Sequence, residues 1–117
     1  MKVYTYTGCD ACRKAIKWLD AQGFDYAPLP IRETPPSLAE LRQMLEYYDG
    51  EIKRLFNTSG RDYREMDVKS KIGEWSEDAL LELLAANGNL IKRPFLLGKQ
   101  FGRLGFKEAE WAELRPD

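Results

Sequence analysis

Two cysteines stand three positions apart in this 117-residue chain, as Cys9-Asp10-Ala11-Cys12, directly after a Thr7-Gly8 break. Such a pair has three common uses: half of a zinc site, a redox dithiol, or two packed thiols. A structural zinc site takes four protein ligands and a catalytic one at least three. The chain has no third cysteine and no histidine. Ligand supply therefore argues against a metal, and none is assigned. The lack of histidine also removes the commonest general base and any Cys-His arrangement. If either thiol is active, a helix terminus or a cationic side chain must favour its thiolate.

The elements around the pair suit that role. Val3, Tyr4 and Tyr6 alternate with other residues over positions 1–6, which reads as a short strand. After the break, Cys12, Ala15, Ile16 and Leu19 recur at helical spacing, and Gln22-Gly23 ends the helix. Cys9 then sits at the helix N-terminal edge, where unpaired N–H groups and the helix dipole favour an anion. Arg13 and Lys14 add positive charge nearby. Cys12 falls on the core side, one turn on, within reach to resolve a mixed disulfide formed at Cys9. The alternative of two inert, packed thiols suits Cys12 better than Cys9.

Further along, Phe24 to Ile31 reads as an extended stretch, and Pro28 and Pro30 suggest an edge strand or an irregular one. Ser37 with Glu40 forms a capping box, followed by a helix with the stripe Leu38, Leu41, Leu45 and Tyr48. Glu51 to Phe56 and Tyr63 to Met66 read as short helical pieces around a loop at 57–60. Ser76 caps a helix running to about Ala86, with Ala79, Leu80, Leu83 and Leu84 inward. Two strand-like runs, Leu90-Ile91 and Phe95 to Leu97, flank Arg93-Pro94. A proline between such runs needs a special position: a cis peptide would supply one, and an edge-strand proline beside a solvated arginine is the alternative. Gly98-Lys99 turns the chain into a strand over Gln100 to Leu104. A last helix covers Lys107 to Leu114.

The order is β-α-β, several helices, then β-β-α, in an α/β chain with one domain over 1–117. A formal net charge of -1 gives no general basic field for nucleic acid or anionic lipid. No window approaches the roughly 18 apolar residues of a membrane helix, and the N-terminus lacks a signal-peptide core. These features predict a cytoplasmic protein with no direct nucleic-acid or membrane partner.

Four segments, in order, resemble the arsenate reductase/Spx family: Val3 to Ala15 around the CxxC, Pro35-Pro36-Ser37 with Glu40-Leu41, Leu55 to Gly60 with Tyr63-Arg64-Glu65, and Asn89 to Pro94. The resemblance implies a thioredoxin-like (glutaredoxin-like) fold. Its four-stranded mixed sheet would have flanking helices and a helical insertion over roughly 35–88. It implies Cys9 as nucleophile, Cys12 as resolving thiol and Arg93 beside cis-Pro94 as an oxyanion-binding arginine. Arg13, Asn57 and Pro94 complete the expected anion-binding surroundings. No bound cofactor is implied; glutathione or glutaredoxin would donate electrons. Two functions follow from the resemblance. One is a glutathione- or glutaredoxin-linked reductase acting on a small oxyanion or disulfide. The other is a redox-sensing regulator of the Spx type that binds RNA polymerase. Asn57 and the Gly105-Phe106-Lys107 segment stand where the family's reductases carry further arginines. A tetrahedral oxyanion needs several charged donors, so weak or absent arsenate activity is expected. Arg61, Arg103 and Lys107 are the nearby basic residues that could substitute.

Overall fold

The computed structural model describes residues 1–116. Four strands, β1 (Lys2–Thr5), β2 (Ala27–Pro30), β3 (Phe95–Leu97) and β4 (Gly102–Leu104), form one sheet in the order β2-β1-β3-β4. β1 runs parallel to β2 and antiparallel to β3, and β3 runs antiparallel to β4. The mixed sheet therefore matches the sequence expectation. β2 lies at an edge. Its neighbours Ala27 and Ile31 donate inward to the carbonyls of Met1 and Thr5, both at 2.9 Å. Pro28 and Pro30 fall between those positions, where an N–H would face outward, so the missing donors cost the ladder nothing.

Side chains alternate across a strand, and here the alternation builds two cores. Tyr4, Phe95 and Leu97 face one cluster with Leu41, Met44, Leu80, Leu81 and Leu84. Val3 and Leu96 face the other, with Ala15, Leu19, Trp111 and Leu114. α1 (Asp10–Gln22) and the short α6 (Glu108–Trp111) cover the second face. Between β2 and β3 lie α2 (Leu38–Tyr47), α3 (Arg61–Glu65), α4 (Val68–Glu74) and α5 (Glu77–Ala86). Gly23 ends α1 in the left-handed conformation, with φ of 78°. The Ser37–Glu40 capping box opens α2 with both reciprocal bonds.

Some expectations need correction. α4 has no forecast in the sequence: its seven residues bury only Val68 fully, so no apolar stripe marks it. Leu81, not Leu83, is fully buried on α5. Leu90-Ile91 is not a strand. Gly88–Leu90 forms a 3-10 turn, and Ile91 makes a single bridge to Phe56. The reason is a close approach at Gly88, where a Cβ would stand 1.9 Å from the Ile31 carbonyl oxygen. That approach pins the turn to the end of β2. The Arg93–Pro94 peptide is cis, and the Pro94 carbonyl accepts the Gly105 N–H at 2.9 Å.

Candidate functional site

Cys9 is the N-cap residue of α1. Its backbone is extended (φ -108°, ψ 114°), and its Sγ accepts the backbone N–H of Cys12 at 3.2 Å. A sulfur thus occupies the position where a serine or aspartate oxygen usually caps a helix. It lies in the field of thirteen helical residues. The Cys9 N–H donates to the Tyr6 carbonyl at 3.2 Å, which fixes the loop leading into the helix.

The two thiols have different surroundings. Cys9 is half-buried, whereas Cys12 is 2% exposed. Burial pushes the Cys12 thiol up to about 12, and the Cys9 sulfur beside it pushes the same way. The Tyr6 backbone and the Arg93 guanidinium oppose the rise. Arg93 is therefore near enough to act on Cys12. Its Nη1 donates to the Asn89 carbonyl at 3.5 Å, and its guanidinium carbon lies 5.0 Å from the Tyr6 ring centroid.

Arg13 turns elsewhere. Its Nη1 donates to the Thr7 carbonyl at 3.0 Å and its Nη2 pairs with Asp10. Its charge is thus partly neutralised, and it buttresses the loop. Asn57 faces its own loop: its Oδ1 accepts from Ser59 at 3.4 Å, and its Nδ2 crowds Gly60. Thr58, the next residue, takes the place at the nearby cleft.

That cleft holds about 570 Å³. Ala11, inside the CxxC, meets it on one side; Phe56, Arg93 and Gly105 to Lys107 line the others. Leu104 donates its N–H to Tyr48 Oη at 2.7 Å, and Trp111 Nε1 donates to the Gly105 carbonyl at 3.0 Å. Those two buried bonds fix the wall. Five cations, Lys53, Arg54, Lys92, Arg93 and Lys107, meet two acids, Glu51 and Glu110. Glu51 pairs with Arg54 at 3.6 Å, and Glu110 with Lys107 at 3.9 Å. Lys53, Lys92 and Arg93 make no ion pair among the described residues.

Of the three substitute bases, only Lys107 reaches the cleft. Arg61 pairs with Glu65 at 3.6 Å, and Arg103 with Glu113 at 3.3 Å. Sequence reasoning missed Lys53, Arg54 and Lys92. The signal was present as two basic doublets, Lys53-Arg54 and Lys92-Arg93. The Lys92 N–H donates to the Leu55 carbonyl at 2.8 Å, and that pairing sets the doublets side by side. It also missed Arg32, Tyr6 and Asn89, which no local pattern joins.

The sequence matches the ArsC family over residues 4–114. It is 44% identical to the uncharacterized protein YusI of Bacillus subtilis (strain 168), covering 94% of this chain and 93% of that one. It is 24% identical to the global transcriptional regulator Spx of Lactiplantibacillus plantarum, over 97% of this chain and 85% of that protein. A crystal structure of a possible arsenate reductase from Streptococcus mutans UA159 superposes with a TM-score of 0.88 at 36% identity, covering 97% of both chains. The match spans both the cysteine loop and the cis-proline corner, and the chain belongs to the ArsC family, on a thioredoxin-like fold.

Proposed function

We propose that this protein is a thiol-dependent reductase in which Cys9 attacks and Cys12 resolves. The observation that carries the reading is the unequal pair: a capping sulfur at a helix N-terminus with a buried thiol one turn behind it. The Cys9 thiolate attacks one sulfur of a substrate disulfide and expels the other as a thiolate. Cys12 then gives up its proton and attacks Cys9 Sγ. The bound thiol leaves, and a Cys9–Cys12 disulfide remains. The substrate disulfide is reduced by two electrons and the cysteine pair is oxidised by two. Glutathione, directly or through glutaredoxin, returns the pair to dithiol and leaves as glutathione disulfide.

Arg93 steadies an anionic group beside Cys9, assisted by Lys53 and Lys92, which line the same cleft. Lysines are point charges without the bidentate fork of arginine, and two of the other cations are already paired with acids. Arsenate turnover is accordingly weak. The deciding experiment is steady-state reduction of 2-hydroxyethyl disulfide with glutathione, glutathione reductase and NADPH, with and without glutaredoxin, run beside arsenate. Disulfide turnover that vanishes in Cys9→Ser supports the proposal. Absence of turnover with every donor refutes it.

A second reading is favoured by the similarity to Spx regulators. In it, the same disulfide switches affinity for RNA polymerase. Capture of RNA polymerase from lysate by the oxidised but not the reduced protein, without disulfide turnover, selects this reading.

A further inference from the structure

The ring of Tyr6 carries two arginines. The guanidinium carbon of Arg32 lies 4.3 Å from its centroid and that of Arg93 lies 5.0 Å from the same point. Arg32 Nη1 also donates to Tyr6 Oη at 3.1 Å. Asn89 holds both cations in place. Its side-chain Oδ1 accepts from Arg32 Nε, and its backbone carbonyl accepts from Arg93. Asp62, the acid nearest this group by bonding, accepts from Asn89 Nδ2 at 3.1 Å and pairs with neither arginine. Neither guanidinium has a carboxylate partner among the described residues.

Two like charges, each within 5.0 Å of one ring centroid and without a counter-ion, repel each other, and cation–π contact with that ring offsets this only in part. An arginine has five N–H donors. Arg32 uses two here and Arg93 one, so both keep donors free for a ligand. The position is tied to the cysteines: a Cβ on Gly8 would stand 2.8 Å from the Tyr6 ring. Gly8 precedes Cys9, so the ring lies against the loop that presents the nucleophile. The clamp is built from distant segments. Gly88 sits against the Ile31 carbonyl and Arg32 Cα, which brings Asn89 beside Arg32.

Resting on the reductase reading above, we propose that Arg32 and Arg93 form one anion seat for the carboxylates of a thiol substrate. Arg32 is its specificity-determining residue. The substrate class is a carboxylate-bearing disulfide rather than a neutral or cationic one. In the covalent step, Cys9 Sγ bonds to one sulfur of the disulfide while the other leaves as thiolate. The retained half keeps its carboxylate on the arginines.

The test separates the seat from the thiol chemistry. In Cys12→Ser protein, adduct formation at Cys9 is followed by mass spectrometry with glutathione disulfide and with neutral 2-hydroxyethyl disulfide. Arg32→Gln should lower the ratio of the two rates about tenfold, the worth of one charge-assisted hydrogen bond, with Arg32→Lys between. Arg42→Ala, a surface arginine paired with Asp78 at 3.1 Å, should not change the ratio. An unchanged ratio in Arg32→Gln overturns the proposal. Binding of S-methylglutathione, which cannot form a disulfide, is read in parallel by NMR at the Arg32 and Arg93 Nε–H signals. Shifts at both in the native protein, with the Arg93 shift lost in Arg32→Gln, support the seat even where Cys9 forms no adduct with either disulfide. That last result refutes the reductase reading alone. No shift at either arginine refutes the seat alone.

Discussion

The buried thiol of Cys12 makes a sharp prediction about chemistry that depends on pH. Burial, reinforced by the Cys9 sulfur, raises Cys12 from the ordinary 9.0 to about 12. At pH 8, about one Cys12 in 10⁴ is then a thiolate, against about one in ten for an ordinary thiol. Alkylation, which uses the thiolate, should slow about a thousandfold, and the 2% exposure hinders the reagent further. Isotope-coded iodoacetamide with peptide mapping, from pH 6 to 10, reads both cysteines in the reduced native protein. Cys9 should label first at every pH. The same shift affects stability. A thiol whose value is raised on folding contributes fully below the unfolded value, near 9, and loses its contribution as pH climbs toward 12. The stability of native protein relative to Cys12→Ala should therefore shrink above pH 9, by at most about 1.4 kcal/mol per pH unit. Thermal melts of both proteins from pH 7 to 11 measure it. Equal labelling of the two cysteines, or parallel alkaline slopes in native and Cys12→Ala protein, would refute the reasoning.

Three further outcomes are expected. Arg93→Ala should slow Cys12 alkylation further, because it removes a cation that opposes the rise of that thiol; Arg93→Lys should recover only part of the rate, measured with the same reagent. Gly88→Ala should destabilise the fold by 1–3 kcal/mol or more in urea melts, since the new methyl would stand 1.9 Å from a backbone oxygen and something must shift. Ser37→Ala removes the bond to the Glu40 N–H at 3.1 Å and should cost about 1 kcal/mol in the same melts.

The parts of the fold legible in the sequence were those written in local patterns. The stripe Cys12, Ala15, Leu19 and the Gly23 stop define α1, and the Ser37–Glu40 box defines the start of α2. The alternate prolines at 28 and 30 left an edge strand or an irregular one, and the edge holds because an unpaired edge tolerates missing donors. What the sequence hid depends on contacts between distant segments. α4 is a helix of seven residues with Gly73 near its end, and nothing in its pattern distinguishes it from a loop. Arg32 and Asn89 are 57 residues apart and meet only because a glycine lets the turn at 88–90 press against β2. Asn57 could be aligned by motif, but which way its carboxamide turns depends on Ser59 and Gly60, which motif position does not encode.

On the proposed reductase reading, the same geometry that silences Cys12 would also supply its release. Two of the influences raising it come from Cys9: a side-chain hydrogen bond and the charge of the neighbouring sulfur. Once Cys9 is locked in a mixed disulfide, its sulfur carries no charge and both influences fall away. Burial persists, but so do the two opposing influences, the Tyr6 backbone and the Arg93 guanidinium. Cys12 thus becomes easier to ionise after the first attack than before it. An early thiolate at Cys12 would compete for substrate at a position with 2% exposure; a late one has a single sulfur within reach. In the proposed reductase, the placement of one thiol at the helix cap and the other behind it would set the order of attack. On that reading Arg93 would contribute to both steps, by holding the anion beside Cys9 and by opposing the rise of the Cys12 thiol.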